Sequence, residues 1–284
     1  MNRTSLVRCS VLIGCATLAL ATIGTRVHAA PVALVTDVVG AAQHAGEPLR
    51  LLAEVDAGRE IAVDAESTVV VFYLADGSEW TLRGPGRYRL SAKAPEAMTG
   101  TPAQRRQGPP AYRDIRLRAD RLQQGGLVMR AGSGDEPMGL VSPAKGEVVL
   151  GSDVRFRWKP LDGAGSYQFE LVDQAGQKLL AAETPDNELD LPLAIALKPG
   201  QTYYWAVRGR AGHAPQPLYR VAEFRVLDAA TRRRVEAARP KADAPFSERA
   251  LFIALLEDVG ARSEAAQQRV QLAAERPVPW AASK

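Results

Sequence analysis

The side chains that could carry chemistry in this sequence are few and far apart. Both cysteines, Cys9 and Cys15, lie close to the N-terminus, and the histidines are His28, His44 and His213. His44 and His213 stand in separate polar turns, whereas a metal ion or a general base needs ligands or partners that converge. There is no His-Glu pair at helical spacing, no Gly-x-Ser-x-Gly elbow and no glycine loop of the kind that cradles phosphate. Ser133, between Gly132 and Gly134, lacks the flanking geometry of a nucleophile, and Gly84-Pro85-Gly86 reads as a turn. Four acids, Asp76, Glu79, Asp173 and Asp190, could supply the paired carboxylates of a glycosidase. That chemistry depends on a fixed carboxylate separation, which sequence order does not set. Solvated turns and strand faces are the stronger reading for them. The expectation is therefore a protein that is not an enzyme, with no catalytic site, no cofactor and no metal.

The N-terminus says where such a protein works. Arg3 and Arg8 precede an apolar run from Cys9 to Gly24, the layout of a secretory signal peptide. The run falls short of the roughly 20 residues of a permanent span. Val27 and Ala29 place small residues where a signal peptidase reads them, and Pro31 opposes cutting after Ala30, so cleavage is expected after Ala29. Leu12-Ile13-Gly14-Cys15 has the form of a lipobox, but it bisects the apolar run instead of closing it. The expected location is the periplasm, with no stable membrane span and no lipid on Cys15. Cleavage removes Arg3, Arg8 and Arg26 and no acid, so 36 basic residues become 33 against 32 acidic ones, a balance of +1. Nucleic acid is excluded as an expected partner, because it needs basic charge concentrated on one face. Both cysteines leave with the signal, so stability must come from packed cores.

Stepping along the mature chain, Val32 to Gly40 is rich in β-branched residues, and Thr68-Val69-Val70-Val71-Phe72-Tyr73 resumes after Asp76-Gly77 as Trp80-Thr81-Leu82. Asp-Gly between two β-prone runs predicts a hairpin. Together with Tyr88-Arg89-Leu90 these runs predict a small meander of strands. Ala94 to Pro110 is polar and rich in breakers, which predicts a linker or a long exposed loop. Tyr112 to Ala119 alternates as a half-buried strand would, with Leu127 to Arg130 as a potential partner. Whether that pair finishes the first domain or bridges to the next stays open.

Three stretches of the first domain resemble the periplasmic domain of the iron-dicitrate regulator FecR. They are Val35-Thr36-Asp37-Val38-Val39-Gly40, the segment from Leu51 to Ile61, and the hairpin Val71 to Ser78 with Asp76-Gly77-Ser78 at its tip. FecR also carries a cytoplasmic region that handles a sigma factor, whereas this chain runs straight into a secretion signal. The resemblance therefore implies the fold and not the anti-sigma activity.

From Leu140 to Leu227, short strands alternate with turns, which argues a β-sandwich. Trp158 ends Val154-Arg155-Phe156-Arg157-Trp158, and Pro199-Gly200-Gln201-Thr202-Tyr203-Tyr204-Trp205 leads into a late strand. This resembles a fibronectin type III module, in which a Trp on an early strand packs on an aromatic of a late one. Trp158 with Tyr204 or Trp205 would fill those roles. Such modules are mainly adhesive or spacer units.

Helices are expected after Leu227: Asp228 caps Ala229 to Ala238, Ser247 caps Glu248 to Val259, and Ser263-Glu264 opens the last. Arg232-Arg233-Arg234 reads as the wet side of the first. The final pair is similar to one tetratricopeptide repeat, with Gly260, Ala265 and Pro277 in place and Arg269 where an aromatic is expected. A lone repeat cannot bury its own face. It must dock on the sandwich, on another copy or on a partner.

The expected fold is mainly β, with a signal at residues 1–29, a FecR-like β domain with linker and extra strands at 30–139, a fibronectin type III-like sandwich at 140–227 and a helical tail at 228–284. The expected function is that of an extracytoplasmic binding or scaffold protein with an envelope protein partner, acting in envelope signalling. Leu251, Phe252, Ile253, Leu255 and Leu256 are the candidate partner-binding residues, because they carry more apolar surface than one neighbouring helix can cover. The alternative is a binder of cell-wall glycan, for which solvent-exposed aromatics on one face would be the mark. Trp80, Tyr88 and Tyr112 could stack on sugars, although strand aromatics usually belong to a core. A hydrolase is the third reading.

Overall fold

The computed structural model describes residues 31–113, 115, 137–151, 153–212 and 216–276. The first domain is built from β1 (Pro31–Val39), β2 (Ala42–His44), β3 (Glu47–Pro48), β4 (Glu54–Asp56), β5 (Glu60–Val63), β6 (Thr68–Tyr73), β7 (Ser78–Arg83), β8 (Gly86–Leu90), β9 (Pro95–Thr99) and β10 (Gln104–Gln107). They form two five-stranded sheets, ordered β10-β7-β6-β1-β4 and β3-β2-β5-β8-β9. Val35, Val69, Val71 and Leu82 from one sheet and Ile61, Val63, Tyr88 and Leu90 from the other share one buried cluster. The β6–β7 hairpin turns where Gly77 takes φ +69°. The Asp76 carboxylate fixes that turn by accepting from Ser78 N at 2.9 Å and Ser78 Oγ at 2.7 Å.

Residues 94–110 depart from the expected loop. β9 pairs with β8, and β10 pairs with β7, Gln104 to Gln107 lying opposite Thr81 to Ser78. β10 pairs through its backbone and its Arg105 and Arg106 reach Asp76 and Glu79, but all four of its residues are exposed, so no apolar alternation marked it. Tyr112 likewise lies in a 3-10 turn, Pro110–Tyr112, and its side chain is buried. Most of the strand expected from 112 to 119, and its partner at 127–130, lie outside the described residues.

The sandwich comprises β11 (Leu140–Ser142), β12 (Glu147–Val149), β13 (Arg155–Trp158), β14 (Tyr167–Asp173), β15 (Lys178–Thr184), β16 (Glu188–Asp190), β17 (Thr202–Gly209) and β18 (Leu218–Val226). A three-stranded sheet, β11-β13-β16, faces a five-stranded one, β12-β18-β17-β14-β15. Trp158, Phe156, Phe169, Trp205 and Phe224 fill the space between them. Trp158 stacks on Phe169, with centroids 6.3 Å apart at 22°. Of the two candidates for its late-strand partner Trp205 is the buried one, 6.4 Å away, and Tyr204 points outward. Here the expectation of a mainly β chain with a sandwich and a helical C-terminal region is met.

Three helices follow, α1 (Ala229–Ala237), α2 (Phe246–Val259) and α3 (Arg262–Glu275). Asp228 caps α1, accepting from Ala230 N at 3.1 Å and Thr231 N at 3.0 Å. Ser247 is not the cap of α2. The helix starts one residue earlier, and Ser247 Oγ instead accepts from Arg106 at 2.8 Å. Gly260 ends α2 at φ +88°, and its carbonyl accepts from Val148 N at 3.1 Å. A third hydrophobic cluster joins Leu34, Leu51 and Phe72 of the first domain, Val148 and Leu227 of the sandwich, and the inward faces of all three helices. Among the described residues no helix is long and apolar enough to cross a membrane.

Candidate binding surface

The five tail residues singled out by the sequence are not on a surface. Leu251, Phe252, Ile253, Leu255 and Leu256 are all buried within the chain. An apolar helix without a polar side needs cover all round, and α2 finds it on β1, on α1 and α3, and on Val148 and Leu227 of the sandwich. The surplus apolar area read from the sequence is real, and the chain's own first domain covers it. Polar contacts fasten the tail at its edges. Tyr112 Oη donates to Ala238 O at 2.5 Å, and Arg276 pairs with Asp37. Arg269, in the place of the repeat's aromatic, pairs instead with Glu257 across the α2–α3 hairpin.

Each of the four acids is engaged in a structural contact. Burial opposes the charge of Asp76, but its bonds from Ser78 and Arg105 outweigh that and hold its carboxyl below the usual range. Glu79 is buried and paired with Arg106. Asp173 accepts from Ala175 N and Gln177 N at 2.9 Å, and Asp190 pairs with Arg155 at 2.6 Å. His44 Nδ1 lies 3.0 Å from Glu60 O, and His213 and Ser133 fall outside the described residues. No group of three or more metal-ligating side chains occurs among the described residues. In the triple arginine Arg232 lies beside Glu236, Arg233 is exposed, and Arg232 and Arg234 are half-buried.

The aromatics suggested for sugar stacking are elsewhere engaged. Tyr88 is buried, with its hydroxyl oxygen 2.7 Å from the carbonyl of Arg83 and 2.8 Å from that of Thr101, either of which can accept its one proton. Trp80 is half-buried against Tyr73, with the Arg105 guanidinium 5.8 Å from its ring. Two others stand out. Tyr204 is 41% exposed, Tyr219 51% and Val221 54%, and all three lie on the outer face of the sandwich's five-stranded sheet.

Strand alternation puts them there. Tyr203, Trp205 and Val207 of β17 point into the core, so Tyr204, Ala206 and Arg208 point out. On β18 the inward set is Ala222, Phe224 and Val226, which turns Tyr219, Val221, Glu223 and Arg225 outward. On β14, Gln168 and Glu170 share that side, because Tyr167, Phe169 and Leu171 are core. Register then makes rows across the strands. Gln168, Arg208 and Tyr219 form one row across the three strands, and Glu170, Ala206 and Val221 the next. The Arg208 guanidinium sits 5.7 Å from the Tyr219 ring. Lys178 on β15 reaches Glu170 at 2.8 Å, and Ser166 donates to Glu183 at 2.6 Å. Between these side chains is a shallow depression, bounded by Gln168, Glu170, Glu183, Arg208 and Tyr219 and including Ala181 and Ala206. The outer face of the first domain's β3-β2-β5-β8-β9 sheet contrasts with it, carrying solvated Arg87, Arg89 and Glu96.

No known protein family matches the chain, and no curated protein does. Among solved structures, a fibronectin type III domain of the human collagen alpha-1(XX) chain is 20% identical and matches 34% of this chain and 95% of that one, with a TM-score of 0.26. A chitin-active lytic polysaccharide monooxygenase in its Cu(I) form is 10% identical over 43% of this chain and 78% of that one, with a TM-score of 0.24.

Proposed function

We propose that this chain is an exported, non-catalytic binding protein of the cell envelope that holds its partner on the outer face of β14, β17 and β18. The observation that carries this reading is the joint exposure of Tyr204, Tyr219 and Val221 on one sheet face. Tyrosine supplies a large, stiff, amphipathic contact and is enriched where proteins bind partners. Export is supported by the Arg3/Arg8 head, the apolar run and the Val27/Ala29 pair, with the mature chain starting at Ala30 in the periplasm. The motifs around Val35 to Gly40 and Asp76-Gly77-Ser78 support a FecR-like first domain, and so a place in envelope signalling.

The test uses the full exported chain as bait against solubilised envelope, beside the double variant Tyr204→Ala/Tyr219→Ala. Both rings are half-exposed, so the variant should melt as the parent does. It should also lose the parent's partners. Equal capture by the two would remove the face from consideration. Intact mass of the exported protein checks the start at Ala30, and a diacylated Cys15 would overturn the export route.

A further inference from the structure

We infer that the depression beside Tyr219 is a saccharide-binding site, and that its ligand is an uncharged glycan chain; this rests on the outer face being the binding surface. Three features of the site select that ligand. The first is charge. Glu170, Glu183 and Glu223 are matched on the face by Lys178, Arg208 and Arg225, and Lys178 and Glu170 already pair at 2.8 Å. A phosphate or sulfate polymer would meet the carboxylates of Glu170 and Glu183 in the depression and gain nothing from a balanced surface.

The second is the hydrogen-bond inventory. Gln168 offers both a donor and an acceptor, Glu183 accepts and Arg208 donates, all bordering the depression. Sugar hydroxyls both donate and accept, so this mixed set can satisfy them. A protein hot spot instead fills a dry apolar pocket with an aromatic or aliphatic anchor. Beside Phe169, three alanines and the Tyr219 ring, this depression is lined by Gln168, Glu170, Lys178, Glu183 and Arg208, so it is not the dry, apolar-walled pocket such an anchor needs.

The third is the placing of the rings. Tyr219 forms one side of the depression. It lies opposite Arg208, four positions along β17 from Tyr204. At roughly 3.3 Å per residue and about 4.8 Å between strands, the two tyrosines are roughly 14 Å apart. A monosaccharide cannot touch both. An oligosaccharide lying obliquely across the strands can stack one unit on Tyr219, hydrogen-bond the depression and reach Tyr204.

Calorimetric titration of the mature full-length chain tests this with cellohexaose, chitohexaose and, as a polyanion, heparin. At least one neutral hexasaccharide should bind saturably and heparin should not. Tyr219→Ala should weaken that binding roughly tenfold, the size of one lost aromatic contact. Tyr219→Phe, which keeps the ring, should stay within about threefold of the parent. The inference is overturned if neither hexasaccharide binds at millimolar concentration, if heparin alone binds, or if Tyr219→Ala binds as the parent does. The envelope capture experiment separates the two levels. A tyrosine-dependent capture without glycan binding leaves the face as a protein-binding surface and removes only the saccharide. Loss of neither means that both readings fall.

Discussion

Glu147, at the start of β12 in the sandwich, accepts a hydrogen bond at 2.7 Å from the backbone N–H of Ser263 in the first turn of α3. The helix has no side-chain cap of its own, since Ala261 occupies the N-cap position. A carboxylate from a strand more than a hundred positions earlier does that work, and its negative charge faces the positive end of the helix dipole. The same side chain accepts from Ala144 N at 2.6 Å and is buried. One residue thus shapes the loop before β12 and ties the tail to the sandwich.

Glu147→Ala should therefore destabilise the chain by about 2 kcal/mol, combining a lost cap with backbone N–H groups left unpaired. Glu147→Gln keeps one of the two acceptor oxygens, loses the charge and sets an amide NH2 against the other backbone N–H, so about 1 kcal/mol is expected. Urea melts of both variants measure this. Equal losses would mean that the one acceptor kept in Glu147→Gln does not hold the helix start.

Trp158 is buried among Phe169, Tyr167 and Trp205. Trp158→Ala should cost about 3–5 kcal/mol, as large aromatic truncations do. The near-UV circular dichroism of the sandwich should fall with the melting midpoint. An unchanged midpoint would mean that the sheets close without this ring.

The same aromatic shows why some of the fold was legible in the sequence. Trp158, the Asp-Gly hairpin and the Asp228 cap are local signals, in which a residue and its near neighbours fix the outcome. β10 was not legible, because Gln104 to Gln107 form a strand only by lying against β7. The destination of the tail was equally hidden. Periodicity shows that α2 is apolar all round, but the surface it meets, Leu34 and Phe72, belongs to strands some two hundred positions earlier. The Tyr204 and Tyr219 face lay in between. Alternation around Trp205 and Phe224 turns both rings outward, and only the paired register of β17 and β18 brings them onto one surface.

Glu54 on β4 has a buried carboxylate oxygen without a hydrogen-bond partner. Burial raises its pKa above the usual glutamate value of 4.5, and the neighbouring Asp56 adds to the rise. The folded state therefore holds this proton more tightly than the unfolded state. Its contribution to stability is fully present below pH 4.5 and is lost as the pH rises through the higher folded value. Glu54→Gln, uncharged at every pH, should stabilise the chain at pH 7 and lose that advantage below pH 4.5. Denaturant melts across this range decide it. A variant less stable than the parent at pH 7 would show that the Glu54 charge has a favourable partner.

Removal of the tail should damage the first domain. α2 covers Leu34 and Phe72 on the outer side of the β10-β7-β6-β1-β4 sheet, and the Asp37–Arg276 pair closes over the same sheet. A chain ending at Arg239 would bare that surface to water. Exposed apolar area of this kind promotes association. The truncated protein should bind a hydrophobic dye, run as oligomers on gel filtration and melt over a broader range than the parent. A milder variant separates loss of cover from loss of chain. Phe252→Ala keeps every helix but opens a cavity in the shared cluster, so it should cost about 3–5 kcal/mol while the protein elutes on gel filtration as the parent does. The sandwich has its own core around Trp158, so its near-UV signal should survive the truncation. A truncated chain that associates no more than the parent, with the first domain melting as before, would show that the tail is an appendage and that the first sheet is stable without cover.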